Sequence, residues 1–187
     1  MCANIDLSVF YPFLKKNSLS FTPALVYVLS RAANNIPEFR YRIRNEEVIL
    51  HEVVHPSITV LTADELFSFC LIQFDQDFSS FSATAEVEIA RSRKSLNLED
   101  DPSRDDFLFM TAIPWISFTN FSHPMHLNPA DSIPRFAWGK YYQEGDRMLM
   151  PLSVQGHHAL MDGIHMGKFY AKVQEYLDQP ETFLGIG

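Results

Sequence analysis

From Met148 to Val154 the chain reads Met-Leu-Met-Pro-Leu-Ser-Val, and then turns abruptly polar as Gln155-Gly-His157-His158-Ala-Leu-Met-Asp162-Gly163-Ile-His165. So apolar a strand has to be buried, and burying it demands a sheet covered by other elements. The polar block that follows sits where this strand meets the start of a helix. The chain of 187 residues is long enough to build such a core, since one domain of this length buries roughly 70% of the surface its unfolded form exposes. One domain over 1–187 is therefore expected.

The neighbouring segments supply the covering elements. Arg135 to Tyr142 and Arg147 to Gln155 read as a hairpin around Gln143-Glu-Gly145-Asp146, where Gly145 provides the turn geometry. A helix is predicted from Pro23 to Asn35, with Thr22 as N-cap and Pro23 at the first helical position. Short β-rich runs follow at Glu47–Glu52, Ser57–Leu61 and Phe67–Phe74, then a helix over Ser79–Ser95 that ends in Arg91-Ser-Arg-Lys94. Phe107 to Phe118 reads as a buried strand interrupted at Pro114. The last helix starts near Asp162-Gly163, carries Met166, Phe169, Tyr170, Val173, Tyr176 and Leu177 on one face, and stops before Pro180. Two loops stand out: the acidic stretch Asn97 to Asp106, and Asn120 to Pro134 with Pro124, Pro129, Pro134, His123 and His126. The fold class is α/β, with a mixed, largely antiparallel sheet covered by helices.

Charge and composition remove several classes of function. Fifteen Lys and Arg against 23 Asp and Glu leave a net charge of −8, the wrong sign for a phosphate-binding nucleic-acid surface. No apolar run reaches the ~20 residues of a membrane span, and Met1-Cys-Ala-Asn-Ile-Asp6 lacks the basic and apolar regions of a secretory signal. Cys2 and Cys70 are too few for a disulfide framework, and Cys70 in its apolar run reads as a core residue. A cytoplasmic location is expected.

Four readings of the polar block compete. Metal binding by His157, His158, Asp162 and His165 is disfavoured, because adjacent histidines on extended backbone point to opposite faces and no His-Glu-x-x-His or paired Cys is present. Nucleophilic hydrolysis lacks a Gly-x-Ser-x-Gly elbow. General-base catalysis fits better: a neutral imidazole can take a proton from an alcohol or thiol at working pH, while Asp162 caps the helix and Gly163 lets the backbone turn. The structural alternative is a packed histidine pair beside a capping Asp.

With His157-His158-Ala-Leu-Met-Asp162-Gly163 the sequence resembles the chloramphenicol acetyltransferase family of coenzyme A-dependent acyltransferases. Pro151-Leu-Ser-Val-Gln-Gly-His-His158, Gly139-Lys-Tyr-Tyr-Gln-Glu-Gly-Asp-Arg147, Ala112-Ile-Pro-Trp115 with Ser117-Phe118, and Ile36-Pro-Glu-Phe-Arg40 follow the same family order, so the resemblance spans essentially the whole chain. No short repeat supports a hexapeptide-type acetyltransferase. The resemblance implies a two-layer α/β fold and a homotrimer with each active site at a subunit interface. It also implies direct acetyl transfer from acetyl-CoA to a hydroxyl of a small acceptor, without an acyl-enzyme. Position by position, it makes His158 the general base, Asp162 a support of the active-site loop, and Thr111 the donor to the tetrahedral oxyanion, where the family usually has Ser. Trp115, Lys140 and Tyr141 fall at coenzyme A positions, and Phe121 at the acceptor pocket.

Departures from the family pattern are informative. Ala137 replaces a Thr that helps hold an active-site water, and Ser20 replaces a Lys directed toward coenzyme A phosphate. Arg135 and His123 fall where the family lines its drug pocket with apolar side chains. An Arg needs a partner to be buried there, so either it turns outward or the acceptor differs from chloramphenicol. Asn4-Ile5-Asp6 aligns well inside the family pattern, which implies that an N-terminal helix and first strand, with an Arg that pairs with Asp162, are missing. Three functions remain open: chloramphenicol acetylation, acyl transfer to a different xenobiotic or metabolite, and a catalytically silent module that keeps the fold.

Overall fold

A computed structural model describes residues 1–98, 101, 103–125 and 131–186. In chain order the strands are β1 (Cys2–Asp6), β2 (Tyr41–Arg44), β3 (Glu47–Leu50), β4 (His55–Leu61), β5 (Phe67–Leu71), β6 (Phe107–Ile113), β7 (Arg135–Gly139), β8 (Tyr142–Glu144) and β9 (Arg147–Gln155). The helices are α1 (Phe10–Lys16), α2 (Phe21–Asn34), α3 (Phe78–Ser92), α4 (Gly163–Asp178) and α5 (Pro180–Leu184), with one 3₁₀ turn at Pro37–Arg40.

The apolar run at 148–154 lies in β9, an interior strand flanked by β1 and β7 in a sheet ordered β1-β9-β7-β6-β4-β5, with β8 also on β9. Parallel pairing occurs at β4–β6 and β6–β7, and the other neighbours are antiparallel. Alternation sorts each strand into two faces. Ile58, Cys70, Met110, Phe136, Leu152 and Val154 join one core cluster with Leu25, Val28 and Leu29 of α2 and Phe169 and Val173 of α4. Thr59, Phe69, Thr111, Ala137 and Ser153 consequently point to the opposite face, in register across the sheet. The described helices pack on this core face, which makes the two-layer arrangement, and on the other face the Phe121 carbonyl lies over Ser153.

β2 and β3 form a separate two-stranded sheet, fastened to β6 by Arg42. Its buried guanidinium donates to the main-chain oxygens of Phe39, Tyr41, Asp105 and Phe107. The 3₁₀ turn is anchored by Phe39, stacked 4.8 Å from Phe169 of α4 and 6.1 Å from Phe136 of β7.

Several sequence expectations shift in detail. α2 starts at Phe21 with Ser20, not Thr22, at the cap position, and the Ser20 hydroxyl donates to Glu86 on α3 instead of capping its own helix. Pro23 still falls in the first turn, where no N–H is needed. β6 ends at Ile113, before Pro114, instead of continuing to Phe118. α3 is capped by Asp77, whose carboxylate accepts from Ser79 and Ser80. Glu99, Asp100 and Pro102 of the acidic stretch, and His126 and Pro129 of the proline-rich loop, lie outside the described residues.

Candidate active site

The loop from β9 to α4 holds His158. Leu160 and Met161 donate their N–H groups to the His157 carbonyl at 2.9 and 3.2 Å and bury their side chains, which turns His158 outward with its side chain 90% exposed. Gly156 permits this packing, because a Cβ there would meet the Met161 sulfur at 2.1 Å. The His158 Nδ1 faces two acceptors, the Met161 carbonyl oxygen at 3.4 Å and Asp162 Oδ1 at 3.4 Å. Both neighbours can only accept, so Nδ1 carries the ring hydrogen and Nε2 presents a free lone pair. Asp162 is the N-cap of α4 in a capping box that sets its carboxylate by the His165 main-chain N–H; His158 is its other neighbour, and among the described residues no Arg pairs with it.

A second feature occupies the uncovered face of the sheet, a cleft of about 520 Å³. Phe67, Phe69, Phe109 and Trp115 make it aromatic, and Thr111 lies half-buried in its wall. Trp115 is 65% exposed and so not a core aromatic. His158 does not line this cleft. His158 and Thr111 therefore stand on separate surfaces of one chain.

Arg135 does not turn outward. It is 8% exposed, pairs with Asp131, donates to the Ile133 carbonyl at 3.1 Å, and lies 5.2 Å above the Phe109 ring, with the cleft at its side. Asp131 was not among the candidates. The sequence cue for it is an acidic residue four positions before an Arg that opens a buried strand. His123 packs edge-on against Phe121 at 4.8 Å, and its main-chain N–H donates to Gln155. Phe121 in turn lies 5.6 Å from Phe118, and its carbonyl accepts from Ser153.

Burial and the nearby Arg135 charge depress the His123 imidazole from 6.5 to about 4. The folded state thus resists a proton that the unfolded chain accepts, and stability falls as pH drops from 6.5 toward 4. The ring is partly open to solvent, which reduces this contribution to about 1–2 kcal/mol. Replacing His123 with Leu is expected to flatten the decline of Tm with pH across that window. An unchanged slope would show that His123 does not govern it.

Lys140 and Tyr141 lie beyond the other end of β7. The Lys140 N–H donates to the Ile116 carbonyl at 2.7 Å, which brings the strand end against the Trp115 segment. Gly139 makes this approach possible, since a Cβ would sit 2.8 Å from that same carbonyl oxygen. Tyr141 packs at 5.1 Å on Tyr11 of α1, with Phe21 at 6.4 Å. Among the described residues, no three His, Cys, Asp or Glu side chains converge as metal ligands.

A mixed sheet with helices on one face and a histidine-bearing loop after the strand next to its edge is a fold that solved acetyltransferases share. A solved chloramphenicol acetyltransferase matches it with a TM-score of 0.81 at 24% identity, over 95% of this chain and 86% of its own. The dihydrolipoamide acetyltransferase of Azotobacter vinelandii matches with 0.75 at 17%, over 98% and 82%. Sequence narrows the class further. The family model described as chloramphenicol acetyltransferase matches residues 1–174. Chloramphenicol acetyltransferases of Escherichia coli (35% identical over 180 residues, 94% of this chain and 80% of theirs) and Bacillus pumilus (32% over 183 residues, 97% and 83%) are similar along nearly the whole chain. The chain belongs to the chloramphenicol acetyltransferase family of acyltransferases.

Proposed function

We propose that this chain transfers acetyl from acetyl-CoA to a hydroxyl of chloramphenicol or a related small molecule, at sites formed between the subunits of a homotrimer. The observation that carries the reading is the separation of His158, with Nε2 open to solvent, from Thr111 in the aromatic cleft. Two copies that bring one chain's loop to another's cleft complete the set.

In such a site His158 Nε2 removes the hydroxyl proton as the oxygen attacks the thioester carbonyl. The Thr111 hydroxyl donates to the oxyanion of the tetrahedral intermediate, and its collapse expels the coenzyme A thiolate, which recovers the proton from the imidazolium. Asp162 and the Met161 carbonyl hold the Nδ1 side throughout. The aromatic cleft suits an aryl acceptor, with His123 and Arg135 in its lining and Phe121 packed against His123. Trp115, Lys140 and Tyr141 offer ring faces and a cation to the nucleotide part of coenzyme A. Ala137, in register beside Thr111, holds no water by a side-chain hydrogen bond. Both cysteines are free, and no described helix is long and apolar enough to cross a membrane, which fits a cytoplasmic enzyme of antibiotic resistance.

A second reading keeps the chemistry and changes the acceptor. Arg135, buried with Asp131 beside His123, favours it, because these polar groups stand where a purely apolar drug pocket needs none.

Release of coenzyme A thiol from acetyl-CoA, with and without chloramphenicol, tests the first reading. Chloramphenicol-dependent release is expected, and its absence from protein that binds acetyl-CoA transfers support to the second reading. The shared site is tested by refolding His158→Ala and Thr111→Ala chains together. Each alone is inactive, and random mixing rebuilds about a quarter of the interfaces with an intact pair. No regained activity would place both groups in one chain's site and overturn the interface.

A further inference from the structure

We propose that His165, which touches neither cleft nor substrate, is a positioning residue for the base; this rests on His158 being that base. The main-chain N–H of Asp162 donates to His165 Nδ1 at 2.9 Å. A nitrogen that accepts carries no hydrogen, so the neutral ring bears it on Nε2. That Nε2 lies 3.3 Å from Glu38 Oε1, and the two side chains are only 20% and 25% exposed. Glu38 belongs to the 3₁₀ turn anchored by Phe39 between Phe136 and Phe169. A connected path therefore runs from the core through Glu38, His165 and Asp162 to His158 Nδ1.

His165 is the third residue of α4, the position from which a Glu or Gln side chain ordinarily returns to the cap N–H. Here the side chain accepts from the Asp162 N–H while its Nε2 faces the Glu38 carboxylate at 3.3 Å, so a replacement has to accept on one side and offer a donor on the other. Imidazole does both, and a carboxamide does both, but a carboxylate accepts only and would oppose Glu38. Fixing the Asp162 backbone fixes where its carboxylate stands, 3.4 Å from the His158 ring. The carboxylate and the Met161 carbonyl then keep the hydrogen on Nδ1 and leave Nε2 free. Without this anchor the cap relaxes, and the base loses both its orientation and its tautomer.

The experiment uses the assembled enzyme with its best hydroxyl acceptor and compares His165→Ala, His165→Gln and His165→Glu, the last also combined with Glu38→Gln. His165→Ala and His165→Glu are expected to lower kcat about tenfold with KM for acetyl-CoA changed less than about twofold, since misplacing a catalytic group affects the chemical step. His165→Gln is expected to restore kcat, and Glu38→Gln to rescue His165→Glu by supplying a donor. Nitrogen-15 spectra of the His158 ring supply a readout independent of turnover. The Nδ1–H tautomer is lost in His165→Ala and retained in His165→Gln. A His165→Gln enzyme as impaired as His165→Ala would reduce the role to ring packing and overturn the proposal. So would a His165→Ala enzyme with kcat and the His158 tautomer unchanged. Should His165→Ala fail to fold, the Gln and Glu variants, closer in size to His, decide by the same rescue. If His158→Ala retains full transfer, the base assignment falls first and takes this proposal with it. If His158→Ala is inactive while the His165 series is silent, only this proposal falls.

Discussion

His158→Ala is expected to lower kcat for acetyl transfer by about 10²–10⁴, the usual contribution of a positioned general base. The acceptor hydroxyl would then have to lose its proton to water while attacking the thioester. KM for acetyl-CoA should hardly move, because the nucleotide contacts proposed at Trp115, Lys140 and Tyr141 lie away from the loop. The variant should also fold normally. The His158 side chain is 90% exposed in the single chain and its removal opens no cavity. Thiol release under saturating acetyl-CoA, with Tm measured beside it, separates lost chemistry from lost structure. A variant that keeps more than about a tenth of kcat would remove His158 from the role of base.

The second large effect concerns stability. Arg42→Met keeps much of the apolar stem but removes the guanidinium that ties β2 to β6. Its Nε donates to the Asp105 carbonyl at 2.6 Å, Nη1 to Phe39 and Tyr41, and Nη2 to Phe107 at 2.6 Å. Burial pulls this Arg down to about 10, against the opposing pull of Asp105, so it stays charged at neutral pH. Its charge is solvated by main-chain oxygens instead of water. The Asp105 carboxylate itself is engaged by Arg44 and His51. Removing the fork leaves up to four carbonyls without their donor, and a loss of about 3–5 kcal/mol is expected. Urea unfolding at one fixed protein concentration reads it as a lower midpoint with the slope unchanged. A loss below about 1 kcal/mol would mean that water enters and replaces the bonds. Arg42→Lys should recover only a part, because an ammonium cannot reach oxygens in a fixed planar fork.

Much of the fold was legible because hydrophobic period and turn chemistry are local. β9, the Gly145 turn and the start of α4 at Asp162-Gly163 stand where the sequence puts them. β1 and α1 were not read, since Cys2–Asp6 is five residues long and gains its strand character from pairing with β9. The start of α2 slipped by two residues because Ser20 and Thr22 are both acceptable caps, and Glu86, distant in sequence, decides between them. Within the site, the roles of His158, Asp162 and Thr111 came from motif resemblance. What resisted reading was pairing. Nothing local shows that Glu38 meets His165 across 127 positions, or that Phe67, Phe69 and Phe109 share a cleft. Each depends on which strands are neighbours, and that is settled by the whole sheet.

The placement of His158 and Thr111 on different surfaces of one chain also bears on gene dosage. In the proposed trimer, every chain lends its loop to one neighbour and its cleft to the other. In a cell that makes intact and defective copies together, a site works only when both contributing chains are intact, so its output follows the square of the intact fraction. A defective copy that still folds and assembles is thus more harmful than a deleted one, because it occupies places in trimers and silences sites on both sides of itself.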